Sequence, residues 1–109
     1  QKRSYRHESF PEKLYRMLME LEQQGRDDVI SFVRQGTAFQ IHQPAVFEDE
    51  IMRNCFRQSK LASFKRQLSM YGFQRMSGGP DHGSYRNPNF RRGNPELCRN
   101  MERSNSGES

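Results

Sequence analysis

The sequence predicts an α+β fold, and three observations carry that prediction. Apolar residues recur at helical spacing in three stretches, and two pairs of short β-prone runs lie between and after them. The chain has 109 residues, the length of one domain. Rings supply much of its apolar mass, because 32% of residues are hydrophobic and 11% are aromatic.

The first helix starts at Ser9-Phe10-Pro11-Glu12. Ser9 and Glu12 have capping-box spacing, and Pro11 falls in the first turn, where its missing N–H does no harm. Leu14, Met17, Leu18 and Leu21 then form one apolar stripe, and Gly25 closes the helix. Val29-Ile30-Ser31-Phe32 and Ala38-Phe39-Gln40-Ile41-His42 read as a hairpin with one buried face, turning through Arg34-Gln35-Gly36-Thr37.

A second helix runs from about Pro44 into Phe56, with Val46, Phe47, Ile51 and Cys55 on one side and Glu48, Asp49 and Glu50 favoured by the dipole of its first half. Ser59 is the expected N-cap of a third helix over 61–73. Gly72-Phe73-Gln74-Arg75-Met76 leads into a strand, Ser77 to Gly83 turns, and Ser84-Tyr85-Arg86 returns. Past Gly93, Asn94-Pro95 starts a short helix carrying Leu97 and Met101.

The order helix, strand pair, helix, helix, strand pair packs most economically as a winged helix-turn-helix, a three-helix bundle with a small antiparallel β-sheet. Residues 1–8 are expected to be a flexible arm, 9–93 the folded domain, and 94–109 a short helical linker with a disordered tail. A chain that opens on Gln1 and closes on Ser106-Gly107-Glu108-Ser109 is expected to be a piece of something longer.

The net charge of +5 is unevenly placed. Residues 1–50 carry seven basic and nine acidic groups, whereas 51–80 carry Arg53, Arg57, Lys60, Lys65, Arg66 and Arg75 with no acid. A concentrated positive block is the footprint expected for a polyanion partner, although a solvated charged face has the same composition. No run approaches the roughly 20 apolar residues of a membrane span, and a membrane-surface helix is disfavoured because the apolar residues serve a small core that can spare few, so no membrane partner is expected. Two cysteines, Cys55 and Cys98, make no disulfide framework and point to a reducing compartment.

On a helical wheel, Leu61, Phe64, Leu68 and Tyr71 cluster within roughly 80° and define a buried face. Arg66 lands opposite that cluster, with Ser63, Gln67, Ser69 and Met70 spread around it. An outward arginine on a helix seated by rings suits the major groove, because a guanidinium donates two parallel hydrogen bonds to guanine O6 and N7. Small polar neighbours let the backbone approach and hold phosphates.

Ala62-Ser63-Phe64-Lys65-Arg66-Gln67-Leu68-Ser69-Met70-Tyr71-Gly72-Phe73 closely resembles the recognition-helix signature of the heat shock factor DNA-binding domain, A-S-F-x-R-Q-L-N-M-Y-G-F. Phe47 and Phe56 match that family's second-helix aromatics, and Tyr85-Arg86-Asn87-Pro88-Asn89-Phe90-Arg91-Arg92-Gly93 resembles its F-x-H-P-x-F-x-R-G. The resemblance runs from about Ser9 to Arg103. It implies a nuclear transcription factor that reads inverted GAA-type units in double-stranded DNA and forms a homotrimer through a coiled coil outside this chain. Arg66 would read the guanine; Arg57, Lys60, Ser63, Gln67, Ser69, Tyr71 and Arg75 would hold the backbone or support the reading. No cofactor, metal or small-molecule substrate is implied. The wing of that family tends to serve protein contacts, which fits a Ser77–Gly83 turn without Lys or Arg.

Several positions depart from the family. Ser69 and Lys60 stand where asparagines are usual, Asn87 where histidine is. Lys65 replaces an apolar residue and is expected to lay its stem along the core edge. Tyr15 and Phe32 replace tryptophans and cost core volume. Arg53 replaces a proline, so a straighter second helix is expected.

Two other readings stay open on the residues alone. The fold also hosts protein-interaction modules that bind no DNA, and only the basic block around an outward arginine separates the two. An enzyme would need a site gathered from scattered parts: His7, His42 and His82 lie far apart, and no HExxH, CxxC or P-loop is present. Double-stranded RNA is disfavoured, because its deep, narrow major groove excludes a helix.

Overall fold

The computed structural model describes residues 8–56, 60–80 and 82–103. Helix α1 spans Phe10–Gln23, and its capping box forms as the spacing predicts. Glu12 N–H donates to Ser9 Oγ at 3.3 Å, and Ser9 N–H donates to Glu12 Oε1 at 2.9 Å. Gly25, at φ 75°, turns the chain out of the helix. Leu14, Met17, Leu18 and Leu21 are all buried, so the predicted stripe is the core face.

Strands β1 (Ile30–Val33) and β2 (Ala38–Ile41) pair antiparallel, with Ile30 opposite Ile41 and Phe32 opposite Phe39. The turn between them places Arg34 and Gln35 as well as Gly36 in the left-handed region. Gly36 is required there: a Cβ would come within 2.9 Å of Arg92 Cβ.

The second helix, α2, departs from the expectation that replacing proline by Arg53 straightens it. It is assembled from an α-helical Pro44–Val46, a π-wound Phe47–Met52 and an α-helical Arg53–Cys55. The packing supplies the reason. At about 100° per residue Met52 would lie roughly 140° from Phe47, but at about 82° per residue in i→i+5 winding it lies only about 50° away. The widened turn therefore buries Phe47, Ile51 and Met52 together. Val46 and Cys55, predicted for that face, are only partly buried.

Helix α3 spans Leu61–Met70, three residues shorter than the predicted 61–73. Gly72 at φ 86° stops it, and Phe73 N–H donates back to the Leu68 carbonyl at 3.0 Å, the Schellman arrangement. Strands β3 (Gln74–Arg75) and β4 (Tyr85–Arg86) follow, and β4 also pairs with β2. The two strand pairs thus merge into one sheet of order β1-β2-β4-β3.

The final turn, Pro95–Asn100, is 3₁₀ and not α-helical. With three residues per turn it buries Cys98 and Met101 (i, i+3), where an α-helix would pair Leu97 with Met101. Tyr15, Phe32 and Phe90 pack as a ring cluster with centroids 5.6 to 5.9 Å apart. The Tyr15 hydroxyl there accepts the Gly93 N–H at 2.7 Å, tying α1 to the segment after the sheet.

Candidate nucleic-acid interface

Helix α3 is seated by rings. Phe64, only 1% exposed, meets Phe47, Phe10 and Phe56 with centroids at 4.9, 5.5 and 5.4 Å. Leu68 is equally buried, and Leu61 and Tyr71 pack partly against the same core, which matches the predicted face. Tyr71 also stacks on Phe10, 5.5 Å between centroids.

Four residues of α3 are exposed: Ala62, Lys65, Arg66 and Ser69, at i, i+3, i+4 and i+7. Ser63, Gln67 and Met70 are half-buried. The outward stripe is therefore displaced toward Lys65 and Ser69. Arg103 flanks the other side, its Nε 3.4 Å from Met70 Sδ. Lys65 is exposed and shares the outward face with Arg66. That placement was readable from the wheel, because 62, 65, 66 and 69 carry no large apolar side chain and lie away from 61, 64, 68 and 71.

The Arg66 side chain makes no hydrogen bond or ion pair among the described residues, and neither does that of Lys60 or Lys65. The contrast with other cations is electrostatic. Arg16 pairs with Glu8 and Glu20, Arg26 with Glu50, and Arg92 with Glu22. Those acids neutralise charge around α1 and α2, while the 60–75 block has none of its own. Exposed pairs of this kind contribute little to stability. None of them involves Lys60, Lys65 or Arg66, so the positive charge on α3 stays uncompensated.

Lys60 is exposed at the N-cap position of α3 and makes no capping bond with its side chain. The expected cap, Ser59, and the predicted contact Arg57 lie outside the described residues. Arg75 is exposed on β3 opposite Tyr85. Burial pushes the Tyr85 hydroxyl above its ordinary range, and the neighbouring Arg75 guanidinium opposes that shift. Lys60, Ser63, Arg66, Gln67, Ser69 and Tyr71 thus all lie on α3 or at its ends, with Arg75 on the adjoining strand.

Both ends of α3 are fastened by side chains from elsewhere, which sequence reasoning missed. Glu48 Oε2 accepts the Leu61 N–H at 2.6 Å, and Asn87 Nδ2 donates to the Tyr71 carbonyl at 3.0 Å. Neither has a local sequence signal, since the partners are 13 and 16 positions apart. The wing turn closes on itself, with Gly78 N–H donating to His82 Nδ1 at 2.9 Å. Among the described residues no cluster of His, Cys, Asp or Glu is suited to a metal ion, and no helix is long and apolar enough to cross a membrane.

Comparison with known proteins places this geometry. Residues 10–104 match the HSF-type DNA-binding family. Heat stress transcription factor B-1 of Arabidopsis thaliana is 33% identical over 97 residues, which cover 89% of this chain and 32% of that protein. The chain therefore spans about a third of that relative's length. Among solved structures, Chaetomium thermophilum Skn7 with SSRE DNA superposes with a TM-score of 0.78 at 25% identity, covering 89% of this chain and all of that one. The same protein with HSE DNA gives 0.73 at 29% identity, covering 86% and 98%. The α+β winged helix-turn-helix, the signature along α3 and these matches together show that the chain belongs to the heat shock factor (HSF-type) DNA-binding domain family of transcription factors.

Proposed function

We propose that this domain binds double-stranded DNA containing inverted GAA-type units, with α3 in the major groove and Arg66 donating to guanine O6 and N7. One observation carries the reading: in a chain of this family, Arg66 stands exposed opposite the buried Phe64 and Leu68, with no intramolecular partner among the described residues. Related chains solved with HSE and SSRE DNA support it. Ser63, Gln67, Ser69 and Tyr71 support the helix on the duplex, while Arg57, Lys60 and Arg75 contact phosphates; Lys65 joins them from the outward stripe. The packed unit runs from Ser9 past residue 93 to Met101, whose side chain is in the core. The parent protein acts in the nucleus as a homotrimeric, non-enzymatic regulator, assembled through a coiled coil outside this chain.

Unbiased selection of sites from a random duplex pool by the purified domain tests the proposal. Enrichment of GAA words is expected, with log affinity falling by roughly 0.9 per phosphate contact against log salt. A pool with no enriched word would refute base reading and favour a protein-interaction role.

A further inference from the structure

We propose that Glu48 is a positioning residue of the reading helix: its carboxylate, reaching from α2, caps α3 and holds the first turn in the register that presents Arg66. The proposal rests on the DNA-reading role of α3. A helix leaves its first N–H groups without intrahelical partners, and the N-cap side chain normally supplies an oxygen for them. Here the N-cap position holds Lys60, a side chain with donors only. Glu48 Oε2 supplies an oxygen to the first turn instead, accepting the N–H of Leu61, the first helical residue, at 2.6 Å in a part-buried contact. An anion is also the group that the positive end of the helix dipole favours.

The architecture aims Glu48 and not its acidic neighbours. Phe47, next to it in the π-wound turn, packs its ring 4.9 Å from that of Phe64, so one contact seats α3 and sets the reach of Glu48. Glu50 is committed to Arg26 at 2.9 Å, and Asp49 is exposed. Two roles for Glu48 predict opposite signs. If it were only a negative charge near the interface, its removal would strengthen binding to any duplex. As a cap, its removal loosens the first turn and weakens the specific complex relative to the non-specific one.

The test measures dissociation constants by fluorescence anisotropy for a duplex of inverted GAA units and a scrambled duplex. It compares the wild-type domain with Glu48→Ala, Glu48→Gln and the double variant Glu48→Ala/Lys60→Asn. Hydrogen exchange of the Leu61–Phe64 amides is followed without DNA. Glu48→Ala should reduce the specific-to-scrambled ratio about fivefold, the fold-change that matches the stability a cap typically gives a helix end, and speed first-turn exchange. Glu48→Gln retains an acceptor oxygen and should stay within about twofold of wild type. Lys60→Asn, which supplies a local cap, should restore the ratio in the Glu48→Ala background, since loss of the lysine charge affects both duplexes alike. An unchanged ratio in Glu48→Ala, or no restoration by Lys60→Asn, would overturn the proposal. Because exchange needs no DNA, unaltered exchange with wild-type preference intact refutes the cap alone. A wild-type domain with no preference refutes the DNA reading and the positioning role with it.

Discussion

Asn87 offers a test in which one changed atom reverses a hydrogen bond. It follows β4, is 8% exposed, and uses both ends of its amide: Nδ2 donates to the Tyr71 carbonyl at 3.0 Å, and Oδ1 accepts the Asn89 N–H at 2.8 Å. Asn87→Ala removes both bonds and leaves two groups to find other partners, a cost of about 2–3 kcal/mol. Asn87→Asp keeps the Asn89 bond but points a carboxylate at the Tyr71 carbonyl, at the negative end of α3. The lost donor, the repulsion from the helix end and the burial of charge together cost about 3–4 kcal/mol at pH 7. For a domain of this size that lowers Tm by roughly 12–30 °C. The introduced carboxyl has a folded pKa raised above its unfolded value near 4, so the deficit is full above the folded value and vanishes below the unfolded one. Urea unfolding followed by circular dichroism should therefore rank Asn87→Asp below Asn87→Ala at pH 7, with the gap closing as pH falls below about 4. Greater stability of Asn87→Asp than of Asn87→Ala at pH 7 would show that the Asn87 amide donor does not hold the end of α3.

Three further outcomes follow from the same coordinates. Phe64→Ala should cost about 3–5 kcal/mol in chemical denaturation, because three rings enclose Phe64; a loss below about 1.5 kcal/mol would show that the seat of α3 collapses around the gap. Gln35, at φ 58° and ψ 32°, is left-handed without being glycine, so Gln35→Asn should raise stability by about 0.5–1 kcal/mol; a lower Tm would contradict the strained turn. Burial pushes the Cys98 thiol up to about 11, leaving little thiolate at pH 8. Its alkylation in the native domain should run at least about tenfold slower than in urea, and equal rates would disprove the burial.

The elements that were legible in the sequence are those whose signal is local. Ser9 and Glu12 announce α1 with a reciprocal cap, Gly25 ends it, and the 61/64/68/71 spacing gives the seated face of α3. The exposure of Arg66 followed from that same spacing. What failed to show was set by partners distant in the chain. Met52 reaches the core beside Phe47 through a π-wound turn, a tertiary choice that periodicity at 100° per residue misses. The apolar pattern continues through Phe73 and predicts a longer α3, whereas the left-handed Gly72 breaks the backbone. Glu48 looked like a dipole-favoured acid of its own helix, and its service to α3 depends on how two helices cross.

Arg66→Ala binding to a GAA duplex and to its scrambled counterpart, across a salt series, decides whether this guanidinium reads a base. A loss of about 1–3 kcal/mol is expected on the GAA duplex alone, with the salt-dependent binding to scrambled DNA retained. Equal losses on both duplexes would contradict it, because Arg66 would then hold phosphate and read no base.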